Sequence, residues 1–126
     1  IGLGIPAEPL FRSRSHCSHA IQKCCDYIEL SLDRKIRAKD LAVLVGYTEY
    51  YLTEKFKNET GLSVSDYARN AKINRAKMLL QSMDLSVSEI ADRLAFNSAN
   101  YLIRVFKELE GCTPAAYRER HHLDNM

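Results

Sequence analysis

Apolar positions recur along most of this chain with the period of an α-helix, and the recurrence is interrupted at short intervals by turn-forming residues. Between Ser86 and Arg118, Ile90, Ala91 and Leu94 follow one another at helical spacing. The run breaks at Ala95-Phe96-Asn97-Ser98, and a second periodic set follows at Leu102, Phe106 and Leu109. This stretch predicts a helix, a tight turn, a second helix and then a short capped helix. Ser86 with Glu89 three residues on forms a capping box and sets the first start. Packing Leu102 and Phe106 inward turns Asn100, Ile103, Arg104 and Lys107 outward onto one exposed stripe.

The same pattern occurs earlier in the chain. Asp40 to Gly46 aligns with Glu89 to Ala95, and one extra residue in the second copy's turn keeps the two in register through Tyr67 and Tyr117. Ala42 then matches Ala91, Tyr51 matches Tyr101, Leu52 matches Leu102, Phe56-Lys57 matches Phe106-Lys107, and Gly61 matches Gly111. Apolar, glycine and basic positions coincide together, which marks an internal duplication.

Residues 1–14, with Gly2, Gly4, Pro6 and Pro9, read as a lead-in or linker. An amphipathic helix is expected from about Ser15 to Leu32, with Ile21, Cys24, Cys25 and Ile28 on its apolar side. A charged connection, Asp33 to Arg37, leads to a helix from about Ala38 to Val45 that Gly46 ends. Thr48 caps the next helix, through about Thr60, with Leu52 and Phe56 inward and Tyr50, Thr53, Glu54 and Lys57 outward. Gly61 stops it. Ser63 with Asp66 opens the longest helix, through about Met83, with Tyr67, Ala71, Ala76, Leu79 and Leu80 facing both lobes. At ~1.5 Å per residue this is a rod of roughly 28 Å. Thr113 and Pro114 launch a last helix through about Arg120, and His121 to Met126 form a tail in which His121 and His122 have no evident partners. The expected fold is all-α, with about seven helices. It has a first helix-turn-helix lobe over 15–62, a connecting helix over 63–83, a second lobe over 84–120 and a tail over 121–126.

The 126 residues accommodate this domain but not a sensor domain as well, and a chain opening on Ile1 reads as a piece of something longer. No apolar run approaches the roughly 20 residues of a membrane span, and no signal-peptide pattern opens the chain, so a cytoplasmic location is expected. Net charge is +2, from 18 Lys+Arg against 16 Asp+Glu, and its distribution matters more than its sum. Basic residues gather at Arg34, Lys35, Arg37 and Lys39 and again at Arg69, Lys72, Arg75 and Lys77, either as solvated faces or as a partner-binding surface. Cys17, Cys24, Cys25 and Cys112 lack zinc-site spacing. Cys17 and Cys24, seven apart, are expected to share a buried helix face with Ile21 and Ile28, and His16, Cys17 and His19 do not complete a metal ligand set. No metal and no cofactor are expected.

Three segments carry a resemblance to the DNA-binding domain of the AraC/XylS family of bacterial transcription regulators. LAVLVGYTEYYLTEKFKNETGLSVSDYAR is similar to its first helix-turn-helix, KINRAKMLL to its connecting helix, and IADRLAFNSANYLIRVFKELEGCTPAAYR to its second, signature-bearing copy. The likeness covers the chain from about Ser15 to Arg120, and Phe106, Lys107, Gly111, Thr113, Pro114, Tyr117 and Arg118 give the last motif its specificity. The resemblance implies contacts to double-stranded DNA on the outward stripe, including Ser98, Asn100, Tyr101 and Arg104. It also implies activation through RNA polymerase, with a separate N-terminal domain that senses a ligand or drives dimerisation, so that the isolated piece is expected to be monomeric. Ala95 departs from the family's usual glycine, and Glu54 stands where relatives often carry a basic or amide residue.

The side chains suit such a surface. Arg104 can fork onto guanine O6 and N7, Asn100 onto adenine N7 and N6, and Lys107 can neutralise a phosphate. The first lobe's stripe of Tyr50, Thr53, Glu54 and Lys57 is a weaker reader: Glu54 can accept from cytosine N4 but is repelled by phosphates, or else serves as a partner for Lys57. An enzyme is disfavoured, since the chain has no HExxH, phosphate-binding glycine loop or nucleophile elbow. The competing alternative is a helical protein-interaction module that does not bind DNA.

Overall fold

The computed structural model describes residues 17–82 and 84–124. The lead-in over 1–14, the helix start expected near Ser15, His16, Met83 and the last two residues of the tail therefore lie outside the described residues. Among the described residues there are seven helices and no strand: α1 His19–Leu30, α2 Ala38–Val45, α3 Glu49–Thr60, α4 Val64–Ser82, α5 Val87–Arg93, α6 Ala99–Glu110 and α7 Pro114–Asp124. The chain is all-α. Its described residues divide into two compact units, one formed by those up to 31 with 36–68 and the other by 32–35 with those from 69 on, so that α4 begins in the first and continues in the second.

In the first unit Ser18 caps α1 by accepting from the Ile21 N–H, and Ile21, Cys24, Cys25 and Ile28 are fully buried. They meet Leu41 and Ala42 of α2 and Leu52 and Phe56 of α3 in the core, each large side chain contributing about 1.5–3 kcal/mol by leaving water. Phe56 meets Tyr67 of α4 edge-on at 5.4 Å. The Tyr67 hydroxyl donates to Glu29 at 3.2 Å. At the end of α3 the buried Thr60 hydroxyl donates to the Phe56 carbonyl (2.8 Å) and accepts from the Leu62 N–H (3.2 Å), satisfying groups that Gly61 would otherwise leave bare. Glu59 accepts from the Ser18 N–H at 2.7 Å and pairs with Lys55 at 2.8 Å. Burial raises its pKa, but these partners outweigh that and hold the carboxyl below its usual range.

The second unit repeats the plan with different chemistry at its edges. Ile73, Ala76 and Leu80 of α4, Ile90 and Ala91 of α5, Leu102, Val105 and Phe106 of α6, and Pro114 and Tyr117 of α7 form the core. Phe106 and Tyr117 meet edge-on at 5.5 Å, as Phe56 and Tyr67 do. The Tyr117 hydroxyl accepts from Gln81 at 2.7 Å, and Arg118 donates to the Leu80 carbonyl at 3.0 Å. Where the first unit uses Thr60, the second has Glu110, paired with Lys77 at 3.1 Å.

Both interhelical turns use one backbone solution. In the first, the Gly46 N–H donates to Val43 and the Tyr47 N–H to Ala42 at 2.9 Å; in the second, Ala95 donates to Asp92 and Phe96 to Ala91 at 2.9 Å. This is the Schellman pattern, which requires a left-handed residue at its corner. Gly46 supplies it at φ +77° and Ala95 at φ +57°. Tyr47 therefore corresponds to Phe96, and the extra residue in the second turn falls at Asn97, just before the Ser98 cap. The α5 capping box forms in full, with Ser86 and Glu89 bonded both ways at 2.8 and 3.1 Å.

Several expectations need correction. Helix α1 begins at His19, so Cys17 precedes it and does not share the buried face of Cys24; its thiol lies 3.8 Å from the Glu59 carbonyl. Leu109 is 45% exposed and Val105 is buried instead, because the inward side of α6 is centred on the Leu102–Phe106 diagonal. Helix α7 runs to Asp124, not Arg120, and His121 lies within it, its ring 4.2 Å from that of Tyr117 one turn earlier. A ring partner at that spacing supports another helical turn.

The Ala95 corner carries strain that glycine would relieve. Ala95→Gly is expected to raise the unfolding free energy by about 0.5–1 kcal/mol, the ~1–2 kcal/mol of left-handed strain less the added freedom of the unfolded chain. Gly46→Ala is expected to lower it by about 1 kcal/mol through backbone strain alone, since an added Cβ meets nothing within 4 Å. Urea unfolding of both variants checks the pair.

Candidate nucleic-acid interface

Helix α6 is positioned by one fully buried side, Leu102, Val105 and Phe106, and by its Ser98 cap, whose hydroxyl accepts from the Tyr101 N–H at 3.0 Å. Gly111, at φ +83°, ends it. What remains faces water: Ser98, Asn100, Arg104 and Lys107 are exposed, Ile103 and Tyr101 half-buried. Asn100 and Arg104 stand one turn apart, as the periodicity requires. The Arg104 guanidinium lies over the Tyr101 ring at 5.1 Å, and the Tyr101 ring leans on Phe96 at 5.9 Å. Arg104 and Asn100 are thus presented side by side from a helix that cannot roll without exposing Phe106.

The matching surface of the first unit is more aromatic and less basic. Tyr50 is 77% exposed, and Glu54 and Lys57 are also exposed. Thr48 caps α3 by accepting from the Tyr51 N–H at 3.1 Å, and the half-buried Thr53 donates its hydroxyl proton to the Glu49 carbonyl at 2.8 Å. Thr53 therefore has a lone pair and a methyl group left for a partner. Tyr47 and Tyr51 meet edge-on at 4.9 Å.

Arg34, Lys35, Arg37 and Lys39 are exposed, whereas part of the second basic cluster is engaged inside the protein. Lys72, from the cluster Arg69, Lys72, Arg75 and Lys77, is only 7% exposed and donates to the Arg34 carbonyl at 3.0 Å, with its ammonium 5.8 Å from the Phe96 ring centre. Burial first, and then neighbouring Lys35, push its pKa down. Lys77 is bonded to Glu110. Two of the four cations are thus engaged within the protein while Arg75 stays exposed, so the cluster is not a continuous basic patch, a correction that helical spacing alone does not foreshadow. Sequence reasoning also missed Val105 and Phe96. The first was signalled by its spacing from Leu102, the second by the aromatic Tyr47 in the aligned turn of the first copy. Burial pushes the Cys24 thiol up to about 11, with Cys25 adding to it, so it stays protonated and inert as a nucleophile. No helix among the described residues is long and apolar enough to cross a membrane.

A buried helix pair in each unit, joined by a tight turn and presenting the second helix outward, defines a helix-turn-helix protein. The family model described as a helix-turn-helix domain matches residues 41–120. The chain belongs to the AraC-type helix-turn-helix family of transcription regulators. It is 37% identical over 92 residues to the uncharacterized HTH-type transcriptional regulator YtdP of Bacillus subtilis, a match covering 73% of this chain and 11% of that protein. The C-terminal domain of the response regulator yesN from Fusobacterium nucleatum superposes with a TM-score of 0.75 at 30% identity, over 80% of this chain and 99% of that one. The DNA-binding domain of AdpA, solved in complex with a target DNA, has the same fold, with a TM-score of 0.80 at 24% identity over 85% of this chain and 96% of that one. The chain spans about a tenth of the length of the curated relatives it matches, 11% and 13% for the first two.

Replacing Lys72 tests its internal role. Lys72→Met is expected to lower the unfolding free energy at neutral pH by about 1–3 kcal/mol, because the Arg34 carbonyl loses its donor. Because the folded-state pKa is depressed, the unfolded chain binds the extra proton between that value and the ordinary 10.5, so wild-type stability gains a component as pH rises through this window. The component is absent from the variant. Urea unfolding at neutral and alkaline pH measures both effects.

Proposed function

We propose that this chain binds double-stranded DNA sequence-dependently as the DNA-contacting part of a bacterial transcription regulator, with α6 lying in the major groove. The observation that carries the proposal is the exposed Asn100, Arg104 and Lys107 stripe on a helix whose opposite side is fully buried. A helix fits the major groove, where base pairs differ in donor and acceptor pattern. Arg104 forks onto guanine, Asn100 onto adenine, and Lys107 and the Ser98 hydroxyl take phosphates. In the first unit, Tyr50, Thr53, Glu54 and Lys57 line α3 in a neighbouring groove and add affinity more than selectivity, since Glu54 is repelled by phosphates. The duplicated pattern supports two such helices on one duplex.

The family resemblance supports a further step: a cytoplasmic activator that touches RNA polymerase, monomeric when isolated and coupled in the full protein to an N-terminal sensor or dimerisation domain. The target complex of AdpA supports the DNA-binding part. Titration with duplex DNA at several salt concentrations is the direct test. A steep fall of log affinity with log salt, with preferred fragments emerging from a random pool, supports DNA binding. No salt-dependent binding to any duplex refutes it and returns the chain to the protein-interaction class.

Two substitutions separate the roles within the stripe. Arg104→Ala is expected to weaken the preferred site by ~1–3 kcal/mol and relax the preference at one base pair. Lys107→Ala is expected to weaken all duplexes about equally and reduce the salt slope by ~1. Affinities on preferred and single-base-altered duplexes at two salt concentrations check both.

A further inference from the structure

Arg104 does not project freely from α6. Side chains on a helix lean toward its N-terminus, so residue 104 sweeps back over residue 101, and the guanidinium rests 5.1 Å from the Tyr101 ring centre. The electron-rich ring face attracts the cation. Tyr101 is held in turn. It is half-buried, its N–H donates to Ser98, and its ring lies 5.9 Å from that of Phe96. Phe96 follows the left-handed corner at Ala95 and has the buried Lys72 ammonium 5.8 Å from its centre, itself anchored on the Arg34 carbonyl. A series of contacts thus runs from the unit's interior to the tip of Arg104.

We propose that Tyr101, backed by Phe96, is a positioning residue that pre-orients Arg104 for base recognition, rather than contacting DNA through its own hydroxyl. The proposal rests on α6 being the groove-reading helix. An arginine already restrained over a ring gives up less rotamer freedom when it forks onto a guanine. The aligned position in the first unit shows the contrast: three residues beyond Tyr51 stands Glu54, a carboxylate that a ring face does not attract. The nearby cation there is Lys55, 6.0 Å from the Tyr51 ring and tied to Glu59 at 2.8 Å. The device that presents an outward-facing guanidinium belongs to the second unit.

The test compares Tyr101→Phe and Tyr101→Leu on the preferred duplex and on duplexes altered at the base pair whose selectivity Arg104→Ala relaxes. Tyr101→Phe, which keeps the ring, is expected to leave discrimination unchanged. Tyr101→Leu is expected to reduce discrimination at that base pair about two- to fivefold, leaving the salt slope and the other base pairs as they were, and to add nothing in an Arg104→Ala background. Equal damage from phenylalanine and leucine overturns the proposal in favour of a hydroxyl contact. Leucine losses spread evenly over all base pairs overturn it in favour of a scaffold role, and leucine discrimination equal to wild type overturns it outright. If Arg104→Ala itself leaves selectivity intact, the base-reading role of Arg104 has failed instead, which is a separate result. A second measurement serves if Tyr101→Leu does not fold: ring-current upfield shifts of the Arg104 side-chain protons in the wild-type protein and in Tyr101→Phe. Their presence in both supports the stack, and random-coil shifts in wild type overturn it.

Discussion

Burying Leu102, Val105 and Phe106 on one side of a single helix constrains nearly everything else in the second unit. Their spacing covers one diagonal of α6, and the Tyr117 ring, set edge-on against Phe106, fixes how far the helix can roll. With the roll fixed, the hundred-degree step of an α-helix decides which residues face water. Asn100, Arg104 and Lys107 fall there because of where Phe106 is buried. The same constraint acts in the first unit through Leu52, Phe56 and Tyr67.

The direction in which each outward helix departs depends on a corner one turn wide. The paired hydrogen bonds from Gly46 and Tyr47, and from Ala95 and Phe96, close the preceding helix and require a left-handed residue at the bend. Glycine meets that requirement without strain, whereas alanine meets it at a cost the surrounding core must offset. The second copy spends one more residue, Asn97, before its cap. It nevertheless places an aromatic ring after the corner and against the first-turn tyrosine, as the first copy does with Tyr47 and Tyr51.

The two units distribute their charges differently. In the second, Lys72 and Lys77 are drawn into internal bonds while Arg104 and Lys107 are left outside. In the first, Lys55 is engaged by Glu59, and Glu54 stands exposed where the second has arginine. A net charge of +2 thus conceals one exposed stripe that carries Arg104 and Lys107 and another in which Lys57 is accompanied by the carboxylate of Glu54.

Local chemistry made most of the architecture legible. The Ser86–Glu89 box, the Thr48, Ser63 and Thr113 caps, the stops at Gly46, Gly61 and Gly111, and the alternation around Phe56 and Phe106 all act within one helical turn, so residue order alone carries them. The duplication and the outward stripe follow from the same short-range rules. Only the folded chain decided the rest, because those choices depend on residues distant in sequence. Lys72 is met by the Arg34 carbonyl, 38 positions before it, and by the Phe96 ring, beyond the whole of α5. Cys17 meets Glu59 across 42 positions, and Leu109 gives way to Val105 because the core around α6 closes nearer its middle. Periodicity states that a face is apolar, but which neighbour covers each residue, and which cation is drawn inward, is settled by tertiary packing.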